Sequence, residues 1–196
     1  MRKIILILLL IIRLDLSAQN SKILKTVFDL NLEYKMNLDS FYTIYKVKCN
    51  EDFFDSTTVN VKGEIINLNT VTKFHPVFAC NHRESIDSYL YYPNYSDSLI
   101  TFLDFYSNKL IQVTIYFIGK TKTEIVEESI LKNYNMTLFY RKVENKRNKV
   151  HLIKESDHYN CLILSDKIAL DYLSPVCGND KHKGNKAKLD KYIKEK

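Results

Sequence analysis

The chain has 196 residues, a formal net charge of +6 and an ordinary apolar share, with 14 Tyr, 10 Phe and no Trp. This length suits one domain with a closed hydrophobic core. The charge is uneven, because segment 1–18 carries two net positive charges, tail 178–196 carries four, and the body between them is about neutral. A neutral body excludes a nucleic-acid face as the source of the basic composition, and we expect no nucleic-acid partner.

The first eighteen residues have the pattern of a secretory leader. A short cationic start precedes an unbroken aliphatic run from Ile4 to Ile12, and Ala18 supplies a small residue at the expected cut. The run is shorter than the ~20 apolar residues that a membrane-spanning helix needs. The pattern predicts a signal peptide at 1–18, an exported mature chain that is periplasmic or extracellular, and no transmembrane segment after cleavage.

Four cysteines remain in the predicted mature chain, and an even number in an exported protein favours disulfides. They are Cys49, Cys80, Cys161 and Cys177. All three pairings stay open from the sequence. The pairing of nearer neighbours, Cys49 with Cys80 and Cys161 with Cys177, is slightly favoured.

The first half of the chain mixes helical and alternating patterns. Ser21 is a candidate cap for a helix whose apolar stripe recurs through Ile23, Val27, Leu30 and Tyr34. Alternation then predicts a strand at 41–48, with further strands at 59–68 and 71–78. The polar segments 50–58 and 81–98 are predicted to be loops.

The second half has clearer signals. Strands at 99–106 and 110–118 flank a short turn and predict a β-hairpin. Thr121 and Glu124 have the spacing of a capping box, and Val126, Ile130 and Tyr134 follow as one buried helical stripe. Four more strands are predicted at 136–143, 150–154, 159–164 and 168–173.

Strands segregated from one or two helices predict an α+β domain at 19–177, an antiparallel sheet with one or two helices packed on one face. We expect the basic tail at 178–196 to be mobile, with a short helix within 186–196. The hairpin from Phe102 to Phe117 and the helix that ends at Asn135 resemble small exported bacterial proteins of unknown function. This resemblance covers 99–173, and it implies a fold without any catalytic residue.

Two groups of side chains are candidate sites. Thiolates and imidazoles are zinc ligands, but their spacing here is not that of a zinc knuckle, so we expect neither metal nor cofactor; the candidates are Cys80, His82, His158 and Cys161. The polar, aromatic segment before the hairpin is a candidate surface for a ligand or partner; its tyrosines are Tyr89, Tyr91, Tyr92 and Tyr95.

The pattern of residues therefore favours an exported, non-enzymatic binding or interaction protein of unknown partner. Glycine is too scarce for a nucleophile elbow or a phosphate-cradling loop. The alternative is a small hydrolase or metal-dependent enzyme whose site is assembled from distant residues. The basic tail predicts a weak contact with an anionic envelope surface.

Overall fold

The structure is a computed structural model. It describes residues 19–46, 48–55, 70–75, 86–91, 100–134, 142–154, 160–173 and 181–195, with the backbone alone described in 48–55, 70–75 and 181–184. The statements that follow concern these residues.

The described chain contains five helices. They are α1 at 19–28, α2 (Leu38–Tyr45), α3 (Lys120–Tyr134), α4 (Lys167–Leu173) and α5 (Lys181–Lys194).

Eight strands form one sheet in the described part of the chain. They are β1 (Lys48–Asp55), β2 (Thr70–His75), β3 (Ile86–Tyr91), β4 (Ile100–Tyr106), β5 (Lys109–Phe117), β6 (Lys142–Glu144), β7 (Asn148–Lys154) and β8 (Asn160–Asp166). The order across the sheet is β1-β2-β3-β4-β5-β8-β7-β6. All neighbours are antiparallel except β1 and β2, which run parallel at one edge. The predicted α+β class with an antiparallel sheet is confirmed.

Helices cover both faces of the sheet. Because side chains alternate along a strand, Phe105 and Leu110 point to one face while the next residues, Tyr106 and Ile111, point to the other. Phe105 and Leu110 belong to the main core, which also contains the buried sides of α1, α2 and α3. Tyr106 and Ile111 belong to a smaller core that α4 and α5 close. We name these the main face and the second face.

A β-bulge in β5 places two consecutive side chains, Ile111 and Gln112, on the second face. The register between β4 and β5 shifts after Asp104, which pairs with Gln112, while Phe105 pairs with Leu110. Ile111 is therefore the extra residue on β5. It fills the small core under α5, and Gln112 remains free to meet the polar side chains of its neighbouring strands.

The predicted hairpin and its following helix are confirmed. Ser107 and Asn108 have φ values of 49° and 62° and form the two-residue turn between β4 and β5, in the left-handed geometry that such turns need. Helix α3 begins one residue before Thr121, so the predicted capping box does not form its start; Thr123 instead donates its hydroxyl to the Gly119 carbonyl at 3.0 Å. The stripe of Val126, Ile130 and Tyr134 is buried.

The predicted strand at 41–48 is wrong, because residues 41–45 belong to α2 and Lys48 begins β1. Asn37 caps the helix by accepting the Ser40 N–H at 2.7 Å, and Lys46 ends it in a left-handed conformation. Phe41 and Tyr45 are four residues apart, a spacing that fits both a strand face and a helix face. The cap decides between the two periods.

Three other predictions for the first half and the end of the chain are corrected. The expected loop at 50–58 contains most of β1, and the expected loop at 81–98 contains β3. Residues 168–173 belong to α4 and not to a strand, since Asp166 accepts the Ala169 N–H at 3.1 Å and so caps a helix. The predicted strand at 59–68 lies outside the described residues, and so does most of the predicted strand at 136–143.

The tail is a folded part of the domain. Helix α5 buries Leu189 and Ile193 against the second face, with relative exposures of 1% and 4%. These residues are four apart and form one apolar stripe, and the nearby Lys188, Lys191 and Lys194 are exposed. The expectation of a mobile tail at 178–196 is therefore wrong for α5. None of the helices in the described ranges is long and apolar enough to cross a membrane.

Candidate functional site

Two of the four cysteines lie on described strands, and they are far apart. Cys49 is in β1 and Cys161 is in β8, five positions away in the sheet. At a strand spacing of ~4.8 Å their Cα atoms are separated by roughly 24 Å, whereas a disulfide needs less than about 7 Å. A Cys49–Cys161 bond is incompatible with this fold. Cys80 and Cys177 lie outside the described residues.

We expect peptide mapping of the unreduced protein to show no peptide that joins Cys49 to Cys161. The two remaining pairings join Cys49 either to Cys80 or to Cys177. Peptide mapping after free thiols have been blocked distinguishes these two pairings. One of them, Cys49 with Cys80 and Cys161 with Cys177, is the pairing that the sequence favours. Recovery of a Cys49–Cys161 peptide from folded protein would contradict the strand order.

The metal candidates are not assembled by the part of the chain that the structure describes. Cys161 is buried in β8 at 2% exposure. Within the described ranges, no three His, Cys, Asp or Glu side chains come together as a metal group. Three of the candidates lie outside those ranges: Cys80, His82 and His158.

Two tyrosines of the predicted partner surface belong to the main core. Tyr89 and Tyr91 are 5% and 3% exposed. Tyr89 packs edge to face on Phe105 at 5.5 Å between ring centroids, and Tyr91 packs in the same way on Phe41 of α2 at 5.3 Å. The prediction is wrong for this pair, because the segment is a strand whose alternate residues lie under a helix. The other two tyrosines lie outside the described residues: Tyr92 and Tyr95.

A buried polar network joins α1 to α3. Asn20 is fully buried; its amide donates to the Tyr34 hydroxyl, and its carbonyl oxygen accepts from the Tyr134 hydroxyl. Burial raises the pKa of both tyrosines, so both stay neutral. Each member of this network is satisfied by another member. The arrangement stabilises the packing of α1 and leaves no group directed to a ligand.

The preceding residue, Gln19, fixes the start of α1. Its amide nitrogen donates to the Asn133 carbonyl at 2.9 Å, and its oxygen accepts from Asn145 at 2.6 Å. These bonds tie the helix start to the end of α3 and to the β6–β7 turn. The first residue expected after signal cleavage is thus an integral part of the fold.

A ladder of polar side chains crosses four strands on the second face. Ser88 and Gln112 donate to the two carboxylate oxygens of Asp104 at 2.6 and 2.8 Å, and Ser165 donates to Gln112 at 3.0 Å. The four residues occupy matching register positions on β3, β4, β5 and β8. Both oxygens of the carboxylate are engaged inside the sheet, as expected for a structural cross-strand ladder.

A second carboxylate, Asp166, holds α4 and α5 together. One oxygen accepts the Ala169 N–H, and the other accepts the Tyr192 hydroxyl at 2.8 Å. Desolvation raises the pKa of Asp166, and these two hydrogen bonds together with the nearby Lys35 charge act in the opposite direction. The same contact keeps Tyr192 neutral, since burial and the Asp166 charge raise its pKa.

Lys35 fastens the end of α5 from the loop before α2. Its ammonium donates to the carbonyls of Tyr192 and Glu195 at 2.7 and 2.9 Å, and it lies 3.7 Å from the centroid of the Tyr192 ring. A cation at a helix C-terminus is stabilised by the unpaired carbonyls and by the helix dipole. Tyr106 anchors the other side of the helix by donating to Asp190 at 2.7 Å.

These contacts bring two basic segments to the same end of the molecule. The Arg147 carbonyl accepts the Lys167 N–H at 2.8 Å, directly beside Asp166 and its partner Tyr192. Burial lowers the pKa of Lys35, and the positive charge of Arg147 acts in the same direction; the same charge partly opposes the burial and the Asp166 charge that raise the pKa of Tyr192. The tip of the β6–β7 hairpin therefore lies close to the last turn of α5.

We name the outward-facing residues of these two segments the basic surface: Lys146, Arg147 and Lys149 on the hairpin, with Lys188, Lys191 and Lys194 on α5. All but Lys149 are exposed, and Lys149 is half-buried. Lys188 lies one helical turn before Tyr192, on the helix flank that faces the hairpin. The pKa of the nearby His151 is lowered by burial and then by the charges of Lys142 and Lys149.

Comparison with protein-family models, with curated proteins and with solved structures finds no match for this chain. The basic surface is consequently argued from its own geometry. Each of its two segments was visible in the sequence as a run of lysine and arginine. Their proximity depends on the strand order and on the packing of α5, which no local pattern indicates.

Proposed function

We propose that this chain is an exported, non-enzymatic binding protein that holds a negatively charged partner on the basic surface. The observation that carries the proposal is the position of α5. Its apolar stripe packs against the second face, Lys35 and Tyr106 hold its C-terminal half, and its lysines remain outside. A helix that is packed on the domain suits binding, because the backbone that carries the cations needs no further ordering on contact.

The occupied carboxylates support a binding role over a catalytic one. Asp104 and Asp166 are the kind of half-buried and buried acids that a hydrolase would use. Each of them accepts hydrogen bonds at both oxygens from groups of the fold. A general acid or base needs an oxygen directed to substrate. Both acids instead serve the ladder and the α4–α5 junction.

Export is the second part of the proposal, and it depends on the leader. The apolar run after a cationic start supports secretion, and the resemblance to small exported bacterial proteins points the same way. Gln19 and Asn20 support a cut no later than Ala18, since removal of either residue would remove contacts that hold α1. The mature protein is then periplasmic or extracellular.

The export test uses a charge inside the leader. We expect Leu8→Arg to keep the full-length chain in the cytoplasm, because a charged residue disrupts the apolar run that the export machinery recognises. The control Leu8→Val keeps the run apolar and is expected to be recovered outside the cytoplasm with the mass of residues 19–196. Full-length, uncleaved protein in the cytoplasm for both the wild type and the Leu8→Val chain would contradict export.

A further inference from the structure

We infer that the hairpin tip and α5 form one binding site, and that its partner is an anionic lipid bilayer. The inference rests on the proposed function, which requires only that some negatively charged partner be held. It adds that both basic segments act together, and it names the chemistry of the partner.

The first step is the geometry of the junction. Arg147 adjoins Lys167 through a backbone hydrogen bond of 2.8 Å, and Asp166, one residue earlier, binds Tyr192 of α5. The Lys35 ammonium lies over the Tyr192 ring, and the positive charge of Arg147 adds to the effect of burial in lowering the Lys35 pKa. The hairpin and the helix are therefore linked by a continuous set of contacts, which fix the backbone positions that carry their cations.

The second step is the balance of charge around these cations. Glu195 lies 4.0 Å from Lys191, and both side chains are largely exposed, so this pair is weak. Asp190 is engaged by Tyr106 on the inner side of the helix, and Asp166 is 2% exposed beneath it. Two other exposed acids border the surface: Glu144 is the cross-strand neighbour of Lys149 and lies 3.6 Å from Lys142, and Asp171 lies 3.4 Å from Lys167, so each is offset by a cation outside the six. The basic surface keeps a net positive charge.

The third step is the shape and chemistry of the partner. Helix α5 has 14 residues and is about 21 Å long, so its lysines form an extended array and not a pocket. Lysine is a hydrated point charge, which suits a diffuse layer of anionic headgroups, whereas a discrete phosphate or sulfate is more often gripped by the arginine fork. Five of the six residues of the basic surface are lysines.

The described residues of the basic surface include no large apolar side chain that could insert into a bilayer. The large, exposed apolar side chains in the described ranges are Ile44, Ile118, Ile125 and Leu131, which lie on α2, on α3 and just before α3. These elements flank the main face, on the side of the sheet away from α5. The protein is therefore expected to lie on the headgroups through charge alone, with reversible and salt-sensitive binding.

The test measures sedimentation of the mature chain with vesicles of phosphatidylcholine containing phosphatidylglycerol, and with vesicles of phosphatidylcholine alone. Each basic residue near an anionic bilayer contributes roughly a factor of five to affinity. We expect Lys188→Gln, Lys191→Gln and Lys194→Gln together to weaken binding about 100-fold, and Lys146→Gln with Arg147→Gln about 30-fold. The matched control removes three exposed lysines on the opposite side and away from the hairpin tip, Lys25, Lys46 and Lys120, and is expected to change binding less than about threefold.

The outcomes separate this inference from the proposed function. Binding to the anionic vesicles alone, with losses in both the helix and the hairpin variants, supports one joint site for a bilayer. Loss in the helix variant with no loss in the hairpin variant overturns the joint site and leaves α5 as the binding element. Failure of the wild type to bind vesicles, with retained, salt-sensitive binding to soluble polyglutamate, overturns the bilayer as partner while the proposed function stands. An equal loss in the opposite-side control overturns the site.

Discussion

Replacement of Asn20 by alanine is expected to lower the free energy of unfolding by about 2–5 kcal/mol, because two buried hydroxyls lose their partner at once. The Asn20 amide joins the hydroxyls of Tyr34 and Tyr134, and the side chain is fully buried. The bond to Tyr134 is buried and the bond to Tyr34 is part-buried, so water replaces them poorly. Urea unfolding of the variant and of the wild type measures the difference.

Single removal of each hydroxyl provides the matched control for Asn20. Tyr34→Phe and Tyr134→Phe each delete one bond, and each should cost about 1 kcal/mol or somewhat more. Because the three groups share one network, the effects of Asn20→Ala and the double phenylalanine variant should not add. Thr26→Ala, on the exposed side of the same helix, should change stability by less than about 0.5 kcal/mol. Additive effects would contradict a shared network.

Replacement of Asp166 by alanine is expected to lower the free energy of unfolding by about 2–4 kcal/mol. The variant loses the cap of α4 and the acceptor for the Tyr192 hydroxyl. Since Tyr192 is the link to α5, we also expect faster proteolysis within α5. Asp166→Asn keeps an acceptor for Ala169 and an amide that can donate to Tyr192, so it should cost about 1 kcal/mol or less near neutral pH.

The comparison of Asp166 with asparagine also has a defined pH dependence. Desolvation raises the pKa of Asp166 in the folded state above its ordinary value in the unfolded state. The folded state therefore binds a proton more readily than the unfolded state. The part of the stability that comes from protonation of Asp166 is full below the unfolded pKa and is lost as pH rises through the folded pKa. The wild type should gain stability relative to Asp166→Asn as pH falls from neutral. A relative loss on acidification would show that the hydrogen bonds and Lys35 outweigh burial.

The sequence predicts the centre of the sheet well. The β4–β5 hairpin, the buried stripe of α3 and strands β7 and β8 have strong local patterns, with alternation, a left-handed two-residue turn and helical spacing. Within the β4–β5 and β7–β8 pairs the partner strands follow one another in the sequence, whereas the pairing of β5 with β8 joins distant residues. The apolar pattern of such segments agrees with their final environment, so local reading succeeds.

The sequence predicts the first half and the second face poorly, for a physical reason in each case. Phe41 and Tyr45 fit two periods, and the Asn37 cap selects the helix. The apolar pattern from Ile168 predicts a strand, but Asp166 accepts the Ala169 N–H and caps a helix there. The tyrosines of β3 lie in a polar segment, but Tyr91 is covered by α2 and Tyr89 packs on Phe105 in the main core. In all three cases a hydrogen bond or a tertiary contact determines the structure of the segment, and neither produces a periodic pattern in the sequence.

The candidate site was only half visible in the sequence. Both basic segments can be read as charge runs, and a charge run by itself predicts a solvated face. The contacts of Lys35, Asp166 and Tyr192 convert two such runs into one surface, and those contacts join residues from the loop before α2, from β8 and from α5. Pairings over such distances along the chain depend on the whole fold.

Lysine acetylation with and without anionic vesicles tests the central claim most directly, because it reports each amine of the basic surface separately. The account predicts that vesicles slow the modification of Lys146, Lys188 and Lys191 at low salt, and that high salt removes this protection. The opposite-side lysines, Lys46 and Lys120, should react at the same rate in both conditions. Equal protection of the two groups, or protection of the opposite-side lysines alone, would contradict the assignment of this surface.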